Sequence, residues 1–367
     1  MADYSKVLGV AAADITKVEG VAKADISKVI GASKPSGVTT ATKWIAGATN
    51  GKVFKSAVAN AGSGWAELVD LGGGNGKSIT IGQDSLGNKR WVLHRTSNTE
   101  EIAYVNDGLE GTVGNWTEVN LSNNHVSVDG GPNVAWGNDY WIGAGDDVAV
   151  SPAPSDEDVL FASSDGGTNW STVQLSAQQT NDTGRTACYK DGTTFFFTVQ
   201  DQIWKATSDP TDANNWSNVI DLAGSQDILC MAYDGSSRWV CAGASGEVHT
   251  SDDDWGSATS RTGGHGTSKI NGVVYCAGTV NKWVTVGASG KVAYSTDGET
   301  WTAISPNPTN LHLRGVATDD TTIVAVGQSG CVLTSTDGIT WSLVTHDSPI
   351  NYQLWSIACD IIGAGMR

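Results

Sequence analysis

Short apolar runs alternate with Gly-, Ser- and Asp-rich turns along most of the chain, and the pattern recurs as a unit. From Lys282 an apolar strand (Trp283-Val284-Thr285-Val286) closes on the turn Gly287-Ala288-Ser289-Gly290. An alternating strand (Val292-Ala293-Tyr294-Ser295) follows, then an Asp297-Gly298 turn, then a strand introduced by Trp301. The same order stands between Thr322 and Trp341, and its first half between Arg238 and Asp252. Alternation with a period of two marks half-buried strands, and Asp-Gly marks the turns between them.

The closing Trp recurs as Trp65, Trp116, Trp170, Trp216, Trp255, Trp301 and Trp341, on average about 46 residues apart. That spacing matches a four-stranded propeller blade. The expected fold is therefore all-β, a seven-bladed β-propeller spanning residues 37–367. Five further Trp (Trp44, Trp91, Trp141, Trp239, Trp283) fall on the strand before a turn. The first unit starts late, at Lys43, while Leu354–Cys359 and Ile361–Gly365 resemble opening strands of other units. The C-terminal strand or strands are thus expected to complete the first blade and remove the open sheet edges.

Residues 2–34 follow another rule, with three 11-residue repeats. Each places an Asp (Asp3, Asp14, Asp25) to cap a helical turn and a Gly (Gly9, Gly20, Gly31) to end it. Val7, Val18 and Val29 lie three residues after Tyr4, Ile15 and Ile26, which gives each turn one apolar edge. Segments this short do not hold a helix alone. Residues 1–36 are read as an anchor that orders against a partner surface, with a boundary at Pro35-Ser36-Gly37.

Composition narrows the function. The formal net charge of −17 argues against nucleic acid and anionic membranes as partners. No apolar run approaches the ~18–20 residues of a membrane span, so no membrane insertion is expected. The six Cys (188, 230, 241, 276, 331, 359) form no CxxC pair and read as small buried side chains. The six His fall in no ligand spacing, so neither a metal nor another cofactor is expected. The start, Met1–Lys6, lacks the apolar core of a signal peptide, which fits synthesis in a host cytoplasm.

The stretch Ser163-Ser164-Asp165-Gly166-Gly167-Thr168-Asn169-Trp170 resembles the Asp-box, or BNR repeat, of sialidase-like propellers. Shorter variants run from Ser295 through Asp297 and Gly298 to Trp301, and from Ser335 through Asp337 and Gly338 to Trp341. Degenerate forms occur at Asp107-Gly108, Asp209-Pro210 and Asp252-Asp253. The resemblance implies a turn between the two outer strands, with Asp and Ser bonding the turn's own amides and Trp packed behind it. These Asp are structural in this reading, as are the acidic stretches Asp156–Asp158 and Asp252–Asp254.

An enzyme of the sialidase-like class uses three Arg around a carboxylate, a Tyr–Glu nucleophile pair and an Asp acid. Here the first of seven Arg is Arg90, and the family's early Arg-Ile-Pro or Arg-Leu-Pro motif is missing. A glycoside hydrolase and a cellular assembly factor similar to BNR-like propellers of photosystem assembly are the alternatives. The preferred expectation is non-enzymatic, with no catalytic residue assigned. The N-terminal repeats look like segments that open tailed-bacteriophage structural proteins. They imply a virion protein of the tail, fibre or adsorption apparatus, bound through residues 1–36 to other virion proteins. The disk is expected to present a host-surface glycan- or protein-binding face. Trp136 is the candidate stacking residue, beside insertions at Ser151–Glu157 and Gln178–Asp182.

Overall fold

A computed structural model describes residues 43–56, 63–96, 100–122, 125–126, 134–147, 160–173, 175, 184–222, 227–346 and 349–360. The N-terminal anchor, its boundary at residue 36 and both insertions lie outside the described residues.

Seven four-stranded antiparallel sheets form the propeller. From the innermost strand outward, blade 2 comprises Asn75–Gln83, Lys89–Thr96, Glu100–Asn106 and Thr117–Ser122. Blade 3 comprises Val134–Gly137, Tyr140–Ala144, Leu160–Ser163 and Ser171–Thr172, with a small pair, His125–Val126 and Asp146–Asp147, beside it. The innermost strands of blades 4 to 7 are Gly184–Tyr189, Ile228–Tyr233, Ile270–Cys276 and Leu313–Thr318.

Blade 1 is closed as the late start of its first unit requires. Its innermost strand is the C-terminal Leu354–Cys359, and Trp44–Ala48, Lys52–Ser56 and Trp65–Asp70 follow outward. Among the described residues one C-terminal strand makes the closure, with Trp44 opposite Cys359. Asp360 fastens its end: its backbone N–H donates to the Lys43 carbonyl, its carboxylate accepts the Lys43 amide at 3.0 Å, and Lys89 Nζ donates to its carbonyl. Without this strand Trp44–Ala48 would be an exposed edge.

The strands form where β-branched and aromatic residues alternate. The tight link between the first two strands of blade 3 uses Asn138 and Asp139, both at positive φ, which suits the right-handed strand twist. Trp44, Trp91, Trp141, Trp239 and Trp283 are buried at the start of second strands. Their rings fill the wedge between neighbouring blades. One cluster joins Val240 and Val248 of blade 5 to Ile270 and Trp283 of blade 6. Another joins Val324 and Val326 of blade 7 to Trp44 and Leu354 of blade 1, so the closure is packed as well as hydrogen-bonded.

Candidate functional site

The Ser-x-Asp turns sit at one end of the disk, after the third strands. The Ser163, Ser295 and Ser335 hydroxyls accept the N–H of Gly167, Gly298 and Gly338 at 3.0, 2.8 and 2.9 Å. Each hydroxyl donates to the following carboxylate, of Asp165, Asp297 or Asp337. Those carboxylates accept amides further along: Thr168 and Asn169, Glu299 and Thr300, Ile339 and Thr340. The Thr300 amide leads in holding Asp297 below the usual carboxylate range. For Asp165 and Asp337 burial pushes upward, but the turn's hydrogen bonds outweigh it and the shift is downward. Behind the turns, the indole N–H of Trp170 and Trp301 donates to the carbonyls of Gly167 and Gly298, both at 3.0 Å. Trp341 packs at the corresponding place in blade 7, against the cluster that spans blades 6 and 7.

Blade 5 corrects one expectation. Trp255 was expected to introduce the outermost strand as Trp170 does. It occupies instead the place of Gly167: its backbone N–H donates to Ser251 Oγ at 2.9 Å, and it holds φ +68. Asp253 accepts the Ser257 amide as Asp165 accepts that of Asn169. Ala258 therefore stands where Trp170 would. The missing ring volume comes from inside the turn, where fully buried Trp255 lies 6.4 Å from Trp239. A left-handed bulky residue is an outlier, tolerated where packing over-determines it.

Trp136 proves to be one of a series. It lies opposite Trp141 on its sheet, as Tyr233 lies opposite Trp239 and Tyr275 opposite Trp283. Its ring covers Gly82 of blade 2, where an added Cβ would fall 2.3 Å from Trp136 Cγ. Tyr189 covers Gly137 of blade 3 in the same way. Trp136 is thus placed in the seam between blades, with its indole nitrogen enclosed. Trp141 is fully buried.

The other end of the channel holds a feature that the motifs did not reveal. Among the described residues, six innermost strands change register against their neighbours near their beginnings, at Gly76/Ser78, Gly184/Ala187, Ile228/Cys230, Ile270/Gly272, Leu313/Gly315 and opposite Gly47/Ala48. These are β-bulges at one level around the ring. The extra residues are Lys77, Arg185 with Thr186, Leu229, Asn271, Arg314 and Trp355. A bulge re-aims side chains and concentrates next to sites. Three of the cations in a chain of net charge −17 thus gather at one level.

Neighbouring blades 7, 1 and 2 bring Arg314, Trp355 and Lys77 together. Lys77 Nζ lies 3.2 Å from the Trp355 ring centroid, and Arg314 Cζ lies 4.9 Å from it. Arg314 Nε and Trp355 Nε1 are enclosed without an acceptor among the described residues. On the far side Arg185 pairs with Asp227, and the Asn271 amide donates to the Leu313 carbonyl at 2.7 Å. Behind the bulges a cavity of about 70 Å³ runs between the innermost strands, past Ile79, Val273, Val316 and Ile357. The strand ends that anchor the insertions, Asp147, Leu160 and Gly184, lie towards this same end. A repeated tract carried the signal: a variable residue, then a small one, then an aliphatic one, as in Lys77-Ser78-Ile79, Arg314-Gly315-Val316 and Trp355-Ser356-Ile357.

Among the described residues, no group of three or more His, Cys, Asp or Glu is placed to hold a metal. No helix there is long and apolar enough to cross a membrane.

No family model and no curated protein matches the chain. Solved structures do. A structure described as YCF48 bound to D1 peptide aligns with a TM-score of 0.52 at 14% identity, covering 77% of this chain and 91% of that one. The computationally designed Ika8 protein aligns with a TM-score of 0.55 at 13% identity, covering 90% and 92%. A catalytically inactive virginiamycin B lyase from Staphylococcus aureus with quinupristin aligns at 0.53 and 10% identity, covering 76% and 94%. At such identities the likeness is one of fold.

Proposed function

We propose that this chain is a non-enzymatic binding propeller of a tailed-bacteriophage virion, anchored through residues 1–36 and presenting the bulged end of its channel to a protein or glycan. The observation that carries the binding role is the chemistry of the two ends. At one end the turn carboxylates are engaged by their own backbone amides. At the other the Arg314–Trp355–Lys77 group offers hydrogen-bond donors and positive charge. Donors of this kind hold an acceptor in place. The Asp-box resemblance of the turns agrees with a scaffold role.

The virion assignment rests on the three N-terminal repeats and their likeness to the opening segments of phage structural proteins. Mass spectrometry of purified particles should find the chain, with residues 1–36 protease-labile in the isolated protein and protected in the particle. A particle without the chain would sink the assignment. Turnover of any glycoside in a substrate panel would sink the non-enzymatic reading. A second reading, a cellular assembly factor, is favoured by the shared fold of YCF48, a protein solved with a peptide bound. It predicts co-purification with partly built cellular complexes in place of particles.

A further inference from the structure

We propose that Lys43 and Asp107 condense into an intramolecular amide bond, with Glu110 as the group that moves the proton. The bond ties the strand that enters blade 1 to the outer turn of blade 2. The inference goes beyond the virion reading and does not depend on it.

Asp107 stands in blade 2 where Asp165 stands in blade 3, since Val105 lies opposite Trp91 as Ser163 lies opposite Trp141. The Asp165 carboxylate is engaged by amides of its own turn. Asp107 turns instead to two side chains: its Oδ1 accepts the Trp91 indole N–H at 2.9 Å and Lys43 Nζ at 2.5 Å. Lys43 Nζ also lies 2.7 Å from Glu110 Oε1. The Glu110 side chain is 4% exposed, and its Oε2 has no partner among the described residues. A lysine, an aspartate and a covered second acid thus meet at one nitrogen. Lys52 also meets an aspartate and a glutamate, but Asp70 and Glu67 are 47% and 43% exposed and water competes for them.

The backbone of each partner is fixed. The Lys43 amide donates to Asp360 at 3.0 Å, the Asp107 amide to the Lys89 carbonyl at 2.9 Å, and the Trp116 indole N–H to the Glu110 carbonyl at 2.9 Å. Reactants held in this way reach effective molarities of about 10⁵–10⁸ M, which favours condensation over the separated pair. Burial opposes the charge on both groups, but their mutual contacts outweigh it. Lys43 is held above and Asp107 below the ordinary value, so the resting pair is ionic. One proton passed from Lys43 to Asp107 through Glu110 gives a neutral amine and a carboxylic acid. Nζ then attacks Asp107 Cγ: the C–N bond forms, and the carbonyl electron pair moves onto Oδ1, where the Trp91 N–H stabilises it. Nζ gives its next proton to Glu110, which passes it to the hydroxyl that leaves as the C–O bond breaks. Ammonium and carboxylate end as one amide and one water, with no oxidant or reductant consumed.

Intact mass spectrometry of the full chain should read one water below the mass of its sequence. Proteolysis should release one branched peptide that joins Lys43 to Asp107. Lys43→Arg should restore the full mass, and Glu110→Gln should leave fewer than a tenth of the chains linked, with circular dichroism like that of the parent. A succinimide at an Asp-Gly step, such as Asp107-Gly108, also loses one water, but it hydrolyses in mild alkali and gives no branched peptide. The proposal is overturned by a parent at its full sequence mass, by a lost water that mild alkali restores, or by a branch at another lysine. It is equally overturned if Glu110→Gln links as fully as the parent. The parent's mass and branch point decide the matter without any variant having to fold. Particle composition does not enter the experiment, so its failure leaves the virion assignment to its own test.

Discussion

Acidification should destabilise the propeller through one buried imidazole. His265 lies on the connection between blades 5 and 6 and is wholly buried. Its Nε2 meets Thr285 Oγ1 at 3.1 Å, and Lys291 Nζ donates to its carbonyl at 2.7 Å. Burial first, and the Lys291 charge second, lower its pKa from 6.5 to about 4. The unfolded chain therefore takes up this proton before the folded one as pH falls. The neutral imidazole's contribution is whole above about pH 6.5, declines as pH drops, and is exhausted near pH 4. A gap of that size corresponds to about 3 kcal/mol across the window, of which about 2.5 kcal/mol falls between pH 7 and 4.5. His265→Gln keeps an amide near Thr285 and removes the titration. Urea unfolding of both proteins from pH 7 to 4.5 should show the parent losing about 2 kcal/mol more than the variant. His249, also lowered by burial, is present in both and cancels in the difference. Parallel stability curves would refute the reasoning, because they would mean that His265 gains its proton in the fold as easily as in the open chain.

Further outcomes test the seams and turns. Gly82→Ala places a Cβ 2.3 Å from Trp136 Cγ and should cost about 1–3 kcal/mol, an overpacking loss that an added Trp136→Ala does not repeat, as a double-mutant cycle in urea would read. Asp297→Ala removes the acceptor of the Glu299 and Thr300 amides and should cost about 1–2 kcal/mol in the same assay. The Asp165, Asp297 and Asp337 carboxylates are held low, so their contribution is present above about pH 4 and is lost as pH falls below it, after the His265 window has closed. Burial pushes the Cys188 thiol up to about 12 and those of Cys276 and Cys331 to about 11. All six thiols are buried and outside any disulfide, so a disulfide reagent at pH 8 should label them only as fast as the blades open, with labelling completed by denaturant.

The sequence by itself determined the blade. The repeat, the Ser-x-Asp turns and the Trp spacing are local consequences of one sheet and its tight turns, so a linear reading reaches seven units and their closure by the C-terminus. Where it misplaced a ring, the cause is three-dimensional. Trp255 stands at nearly the right spacing, yet spacing does not distinguish a ring entering from behind a turn from one entering through it. Backbone φ and the partner of Ser251 Oγ decide that. Trp136 carries no such signal in the chain either: the residue its ring covers, Gly82, stands 54 positions earlier, across a seam that exists only once two blades meet.

Only the tertiary structure brought Lys77, Arg314 and Trp355 together. In the chain Lys77 and Trp355 stand far apart, and nothing within any one repeat says that they touch. Closing the ring sets the last strand of the chain beside the innermost strand of blade 2, and the shared bulge turns their side chains to one level. Strand and turn energies are set by neighbours in sequence, so they are written there. A channel mouth is made of residues from separate blades, and its chemistry appears only when the circle is complete.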